Sequence, residues 1–342
     1  LELYRNHYPN ITLEPEINDF LLKLIENKII LGIITDGRSN TQRNKLKALG
    51  IEKQFNYILI SEEFGYSKPN ELNYKLFMHL VIIDGHAIAH RAYHSIPPLS
   101  LNGQPVNALY GFYSMLLSSL DQLKPDYLLV CLDSPGPTFR SSEFLGYRAA
   151  RKPTDHDLVS QLPLLSQTLE KTGIPNISMG GFEADDLIGT LTKKAQKKKY
   201  IQKITIITGD KDLMQLVNKK VSLFVPVRGL SETKTYYPDE VKEKLGVDPS
   251  QVIDLKALMG DMSDSYPGVT GIGPKTAINL LEKYQDLDGI YAHLNEISGN
   301  VRDKLTKDKA NAYMSQKLAT IICNIPLKFK FRSARLNNDK FL

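Results

Sequence analysis

The sequence predicts an α/β fold: a mostly parallel central sheet flanked by helices, with a C-terminal helix–hairpin region and, before it, a partial α/β segment. Three observations carry this. Short apolar runs rich in β-branched residues, Leu80-Val-Ile-Ile-Asp84, Tyr127-Leu-Leu-Val-Cys-Leu-Asp133 and Ile204-Thr-Ile-Ile-Thr-Gly-Asp210, have the length and composition of buried parallel strands. Stretches with helical spacing lie between them, long enough to cross from one parallel strand to the next. Each run ends in an aspartate, and open α/β sheets collect ligands at the carboxyl ends of their strands.

Those ends carry more acid than a fold requires. Glu183-Ala-Asp185-Asp186 lies between the second and third runs, Asp212 follows Asp210, and Asp261 and Asp264 precede a Gly-rich turn, so up to nine carboxylates converge on one crevice. Mutual repulsion forbids their ionisation unless cations neutralise them. Carboxylate-only ligands select hard ions, Mg²⁺ or Mn²⁺, over zinc, and two or more such ions are expected. The 342-residue chain has a net charge of +5 despite this cluster, so its basic residues are concentrated elsewhere, a division that suits a polyanionic substrate. Its two cysteines, Cys131 and Cys323, argue against disulfides and a Cys-based zinc site and fit a reducing compartment. No apolar stretch reaches membrane-spanning length, and the N-terminus lacks a signal-peptide layout. A soluble, cytoplasmic monomer is expected.

Residues 1–77 read as helix (Ile17–Asn27), strand (Ile29–Ile34) ending in Thr35-Asp36-Gly37, helix (Thr41–Leu49) closed by Gly50, and strand (Tyr57–Ile60), followed by Ser67-Lys68-Pro69-Asn70. These residues resemble the haloacid-dehalogenase-like hydrolases, which implies Thr35 and Lys68 as phosphoryl contacts. That family's Asp-x-Asp nucleophile pair, its later acidic motif and its central strand are all missing from 1–77. An inactive fragment with a vestigial phosphate site is expected. A fusion relic or a misread gene boundary would account for it, because Met78 opens the next motif with no linker.

From Met78 onward the order is strand, long helical stretch, strand, basic segment, helix, strand, strand, helices. Gly85 is expected to let the chain turn sharply after Asp84. His86, His90 and His94 recur every four residues; with no cysteine or fourth nitrogen ligand beside them, they fit a helix surface near a phosphate path better than a metal face. The lysine-dense run around Gln196-Lys-Lys-Lys199 reads as a solvated helix face, with a DNA-backbone contact as the alternative. Glu183–Asp186 opens an apolar helix, where capping alone would use fewer acids. In Gly260–Ala277, Gly268 and Gly273 have P-loop spacing, but Pro274 intervenes before Lys275-Thr276, and Thr276 stands where a dinucleotide fingerprint needs glycine. What remains is a tight turn between helices whose N–H groups can hold a nucleic-acid phosphate.

Taken in order, the Asp84 strand, the Asp133 strand, Phe139-Arg140, the Glu183-Ala-Asp-Asp186 helix, Thr208-Gly-Asp-Lys-Asp212 and Gly260-Asp-x-x-Asp264 resemble the 5′-nuclease domain of bacterial DNA polymerases I and the flap-endonuclease superfamily. The resemblance runs from residue 78 to about 330. It implies a catalytic domain over 78–250 with a helical arch around 139–160, a helix–hairpin–helix-type DNA-binding subdomain over 251–330, and a tail over 331–342. It implies that Asp84, Asp133, Glu183 and Asp185 hold the catalytic metal with Asp186 in support, and that Asp210, Asp212, Asp261 and Asp264 hold or flank a second. Arg140, Arg148 and Arg151 would stabilise the scissile phosphate, and Tyr147 would stack on an unpaired base. Lys152, Gly268, Gly271, Gly273, Lys275 and Thr276 would bind DNA, with a potassium ion at the turn. Where the family pattern usually has asparagine, this chain has Ser265. The implied activity is 5′-3′ exonuclease and flap endonuclease action on DNA 5′ ends and flaps, RNA-primed ends included, in replication and repair. Two alternatives stand beside it. One is a DNA-binding module that has lost catalysis, against which the complete acid set speaks; the other is a phosphatase run by residues 1–77, against which the missing nucleophile pair speaks.

Overall fold

Apolar runs that can face water on neither side dictate the layout from Met78 onward. The computed structural model describes residues 7–27, 29, 31–64, 78–228 and 232–336. They fall into two units, 1–77 and 78–342.

The first unit contains α1 (Pro15–Glu26), β1 (Gly32–Thr35), α2 (Ser39–Ala48) and β2 (Tyr57–Ile60). β1 and β2 pair in parallel, from Gly32 opposite Tyr57 to Thr35 opposite Ile60. Two strands cannot bury much. Among the described residues of this unit the buried apolar side chains are Leu31, Leu46, Ile51 and Ile60, while Phe20 of α1 is 60% exposed.

The second unit begins with β3 (Met78–Asp84), α3 (Gly85–Ser95), α4 (Asn107–Leu123) and β4 (Tyr127–Cys131). It continues through α5 (Phe139–Glu143), α6 (His156–Lys171), β5 (Asn176–Ile177), α7 (Ala184–Gln196), β6 (Ile201–Ile207), β7 (Val221–Arg228) and β8 (Glu232–Tyr236). The six strands lie in the order β8-β7-β6-β3-β4-β5. All neighbours are parallel except β8 and β7. β3 is buried along its whole length, as a central strand covered on both faces must be. Val81, Ile83 and Val130 pack with Ile88 and Ala92 of α3, Phe112 and Met115 of α4, and Leu165 and Leu169 of α6. α7 also packs on the sheet, with Leu187, Ile188 and Leu191 fully buried. Each such Leu, Ile or Phe contributes roughly 1.5–3 kcal/mol.

The chain leaves β3 toward β4 on one side and later returns as β6 on the other, so β3 is where the strand order reverses. A crevice opens at the carboxyl ends of the strands beside such a point. Asp84 ends β3, Asp133 lies just past β4 and Asp210 just past β6. Gly85 does not serve as the sharp turn expected of it. It is the first residue of α3 and has no positive φ; a Cβ there would lie 2.5 Å from a Leu132 methyl and 2.8 Å from a Val130 methyl, so glycine lets β3 and α3 close onto β4.

The remainder is helical: α8 (Pro238–Leu245), α9 (Val252–Met259), α10 (Pro274–Tyr284), α11 (Leu287–Ala292), α12 (Gly299–Lys307) and α13 (Lys309–Ala319). The turn between α9 and α10 depends on Gly268, whose φ is +63° and whose hypothetical Cβ would lie 2.1 Å from the Gly260 nitrogen. The helical arch expected around 139–160 does not form. The segment holds the five-residue α5, then turns, then an irregular stretch up to α6. It is fastened down, because the Arg148 N–H donates to the Asp264 carbonyl (2.9 Å) and the Ala150 N–H donates to Ser265 Oγ (3.3 Å).

Ser265 has φ +63°, a left-handed conformation that asparagine adopts more readily than serine. Ser265→Asn should therefore raise the melting temperature, by an amount on the order of 0.5–1 kcal/mol in stability. Calorimetry showing an unchanged or lowered transition would remove backbone conformation as the reason asparagine suits this position.

Candidate metal and phosphate site

Five segments bring carboxylates to one open crevice of about 1470 Å³ at the carboxyl end of the sheet. Asp84, Asp133, Glu183, Asp185, Asp210, Asp212 and Asp261 line it. Asp84 caps α3, its Oδ1 accepting from the Ala87 N–H (3.1 Å) and its Oδ2 from Thr208 Oγ1 (2.8 Å). Asp133 Oδ1 accepts from the Ala184 N–H (2.8 Å), which ties the end of β4 to the start of α7. Asp210 Oδ1 accepts from the Asp212 N–H (2.8 Å). His86 Nδ1 accepts the Asp133 N–H (2.7 Å), so that nitrogen is engaged and not available as a ligand. His86, His90 and His94 lie on the surface of α3 and form part of the crevice wall.

Crowding of like charges in a buried place shows in the acid strengths. Burial, reinforced by the charge of Asp133, pushes Asp84 up to about 7. Asp185 is pushed well above the carboxylate range by burial and by Asp210 and Asp84. Burial and Asp210 likewise raise Asp212. Asp261 behaves differently: burial works to raise it, but hydrogen bonds from Lys256 and Ser263 prevail and hold it at about 2.

Protein cations stand between several of these acids. Lys256 Nζ, on α9, bridges Asp212 and Asp261 Oδ2, the latter at 2.6 Å. Arg148 reaches Glu183 (3.1 Å) and Asp264 (3.0 Å) at once, and Arg151 lies 3.4 Å from Asp264. Among the described residues no three acid, histidine or cysteine side chains close on a single coordination point. The donor chemistry nonetheless fits hard divalent ions: every candidate ligand is a carboxylate, and burial with neighbouring acids raises Asp84, Asp185 and Asp212.

Several residues expected in the site lie behind it. Asp186 is fully buried, accepts two bonds of 2.8 Å from Arg140 and caps α7 through the Glu183 N–H (3.3 Å). Capping and an internal ion pair thus account for the acid that seemed surplus to capping. Arg140 is only 3% exposed and also donates to the carbonyls of Leu318 and Thr320, so it fixes the fold and does not reach a phosphate in the crevice. Tyr147 is 9% exposed, with its hydroxyl donating toward Glu183 (3.2 Å) and Asp264 (3.3 Å), so its ring is not offered to a base for stacking. Asp264 does not line the crevice; it anchors Arg148, Arg151 and Tyr147. Arg148, Arg151 and Lys152 do line it. Lys256 was not anticipated, although a lone cation inside the apolar run Val252–Met259 was the signal for it.

At the α9–α10 turn, Gly268, Gly271 and Gly273 lie in the loop, and Lys275, exposed, and Thr276 lie in the first turn of α10. The Gly271 carbonyl, in the turn expected to take potassium, accepts instead from Lys304 Nζ (3.0 Å). In the first unit, Thr35 Oγ1 donates to Gln42 Oε1 (2.9 Å). The Gly37 and Ser39 N–H groups donate to Ser61 Oγ (2.8 Å) and Glu62 (2.7 Å), so the donors a phosphate would use are taken by the chain itself. Lys68 lies outside the described residues.

Family models match the chain in three places. The N-terminal resolvase-like domain of 5′-3′ exonucleases matches residues 79–246, and the C-terminal SAM fold of 5′-3′ exonucleases matches residues 247–341. A haloacid dehalogenase-like hydrolase model matches residues 2–88. DNA polymerase I of Caldicellulosiruptor bescii is 44% identical over 261 residues, 75% of this chain and 30% of that one. DNA polymerase I of Bacillus subtilis is 39% identical over 251 residues, 73% of this chain and 28% of that one. The chain thus spans about 30% of the length of these curated relatives. Among solved structures, a bacteriophage T5 flap endonuclease complex with DNA and metal ions superposes with a TM-score of 0.60 at 23% identity, over 71% of this chain and 89% of that one. The T5 5′-exonuclease with bound zinc gives 0.59 at 24% identity, over 71% and 90%. At these identities the likeness is one of fold.

The raised acids make metal-free stability pH-dependent. Asp84 goes from an unfolded value near 4 to about 7 when folded, so the folded state holds the extra proton in that window. Stability of the metal-free protein should fall as pH rises from about 4 to 7, by ~1.4 kcal/mol per pH unit for each such group. Saturating Mg²⁺ should abolish most of that fall. Melting curves in EDTA that stay flat across this window would show that the carboxylates are not in mutual conflict.

Proposed function

The chain belongs to the 5′-3′ exonuclease family, and from that premise we propose that residues 78–336 form a structure-specific 5′-nuclease that hydrolyses DNA phosphodiesters at 5′ ends and flaps, RNA-primed ends included. The observation that carries this is the gathering of eight carboxylates, Asp155 among them, around one crevice at the carboxyl end of a parallel sheet, with cations along the same crevice. Asp84, Asp133, Glu183 and Asp185 are the residues to hold one Mg²⁺ or Mn²⁺, and Asp210, Asp212 and Asp261 a second. When bound, such ions lower the pKa of water and neutralise the charge that develops on the phosphate.

The chain's own groups do the remaining work. Arg148, Arg151 and Lys152 draw the phosphate into the crevice, and their position at its wall supports this. Glu183 and Asp264 hold Arg148 at a fixed place, so little side-chain ordering remains when substrate arrives. Lys256 serves as counter-ion to Asp212 and Asp261: it holds Asp261 ionised and offsets part of what raises Asp212. Lys275, Thr276 and the N–H groups around Gly271 and Gly273 grip the duplex backbone at the N-terminus of α10. Recognition rests on shape and backbone. The protein works as a monomer in the cytoplasm, within replication and repair. Residues 1–77 serve as an inactive fragment, a reading supported by the occupied donors at Gly37 and Ser39.

Asp210→Ala and Lys275→Ala separate chemistry from grip. The first should cut turnover on a 5′-flap duplex by roughly 10²-fold or more while DNA binding persists. The second should weaken duplex binding and leave turnover at saturating DNA nearly unchanged. Full activity in Asp210→Ala would remove that residue from the reaction, and a turnover defect in Lys275→Ala would place the turn in the chemistry.

A further inference from the structure

The function above uses the carboxyl end of the sheet and leaves the lysine-dense run unexplained. Three segments far apart in sequence meet at the amino end. Residues 193–203 contain six lysines and no acid, residues 217–220 contain Lys219 and Lys220, and residues 327–335 contain Lys328, Lys330, Arg332 and Arg335, again with no acid. The fold places them together. Lys197, Lys198 and Lys199 precede β6, and Lys219 and Lys220 precede β7, which pairs with β6 from Ile204 opposite Val221. Lys194 Nζ, at the last turn of α7, donates to the Leu327 carbonyl and draws in the third segment. Tyr127, the first residue of β4, bridges to Arg335, and the Leu336 N–H donates to the Asp126 carbonyl (3.0 Å). The basic groups thus run along the amino edges of β4, β6 and β7, where neighbouring strands lie about 4.8 Å apart.

Lys197, Lys198, Lys199, Lys203, Lys219 and Lys328 are exposed, and among the described residues none of them is in an ion pair. The length of a seven-residue strand, roughly 20 Å, separates them from the acidic crevice. A phosphate track leading into the crevice would not pass here. No large exposed apolar side chain lies in the three segments. That lack disfavours a protein partner, which would need buried anchors, and a membrane surface, which would need apolar residues to insert. A surface made mostly of lysine point charges suits diffuse contact with a polyanion backbone.

We infer that the amino edge of the sheet is a second nucleic-acid surface, which holds the phosphate backbone of a duplex segment other than the one being cut. It would tether the protein to long DNA independently of 5′-end recognition.

The test uses the full chain carrying Lys197→Gln, Lys198→Gln, Lys199→Gln and Lys203→Gln together, all on exposed positions. One probe is covalently closed circular duplex, which has no 5′ end for the crevice; the other is a short 5′-flap duplex. Affinity for the closed circle should fall roughly tenfold, and the slope of log affinity against log salt should become shallower by about 2–4. Cleavage of the short flap should stay within about twofold, since few phosphates reach that far. An unchanged salt slope on the circle would overturn the inference. A parallel loss of flap cleavage would also overturn it, by making the edge part of the substrate track. Binding of the unaltered protein to vesicles of anionic lipid, lost in the variant while the circle still binds, would overturn it in favour of a membrane surface.

Discussion

Repulsion between carboxylates that a parallel sheet gathers at one end is the constraint on which the rest of this molecule depends. Burial, reinforced by the neighbouring acids, opposes ionisation of Asp84, Asp185 and Asp212 where they stand. The chain relieves part of it with its own cations: Lys256 between Asp212 and Asp261, and Arg148 between Glu183 and Asp264. What it leaves unrelieved would drive the uptake of divalent ions proposed above. A cluster built only for stability would have been closed by ion pairs throughout, as Asp186 is by Arg140.

The same arrangement separates structural charge from charge available for chemistry. Arg140, Asp186, Tyr147 and Asp264 form a buried network that fixes the 139–155 segment against the body of the domain. In front of it stand Arg148, Arg151 and Lys152, which face the crevice. Losing a member of the rear network would strand a buried charge and so would damage the fold before it damaged the chemistry. The far end of the sheet carries the opposite sign, so the domain presents acid at one end and lysine at the other.

Strands and their terminal acids were legible in the sequence because both follow from local rules. A β-branched run of strand length is buried, and a polar residue at its carboxyl end lies in the crevice. Contacts across long sequence separations were not legible. Tyr147 stands among cations in the sequence, which suggested a base-stacking role, but its hydroxyl finds Glu183 and Asp264 and its ring is covered. The arch expected over 139–160 is replaced by a pinned loop, because Arg148 and Ala150 donate to Asp264 and Ser265 more than a hundred residues away. Lys256 escaped notice for the same reason: its partners Asp212 and Asp261 come together only once α9 docks beside the sheet. The haloacid-dehalogenase likeness of residues 1–77 was visible in Thr35 and its flanking elements, but that its phosphate donors are already engaged required the fold.

Cleavage of a labelled 5′-flap duplex by the metal-stripped protein, with Mg²⁺ added and then chelated by EDTA, tests the proposed carboxylate crevice most directly. The account predicts no cutting without metal, cutting near the flap junction once Mg²⁺ is supplied, a 5′-phosphate on the downstream product, and arrest on chelation. Tight binding of the flap with no cutting at any concentration of Mg²⁺ or Mn²⁺ would contradict it and leave a DNA-binding module in place of an enzyme.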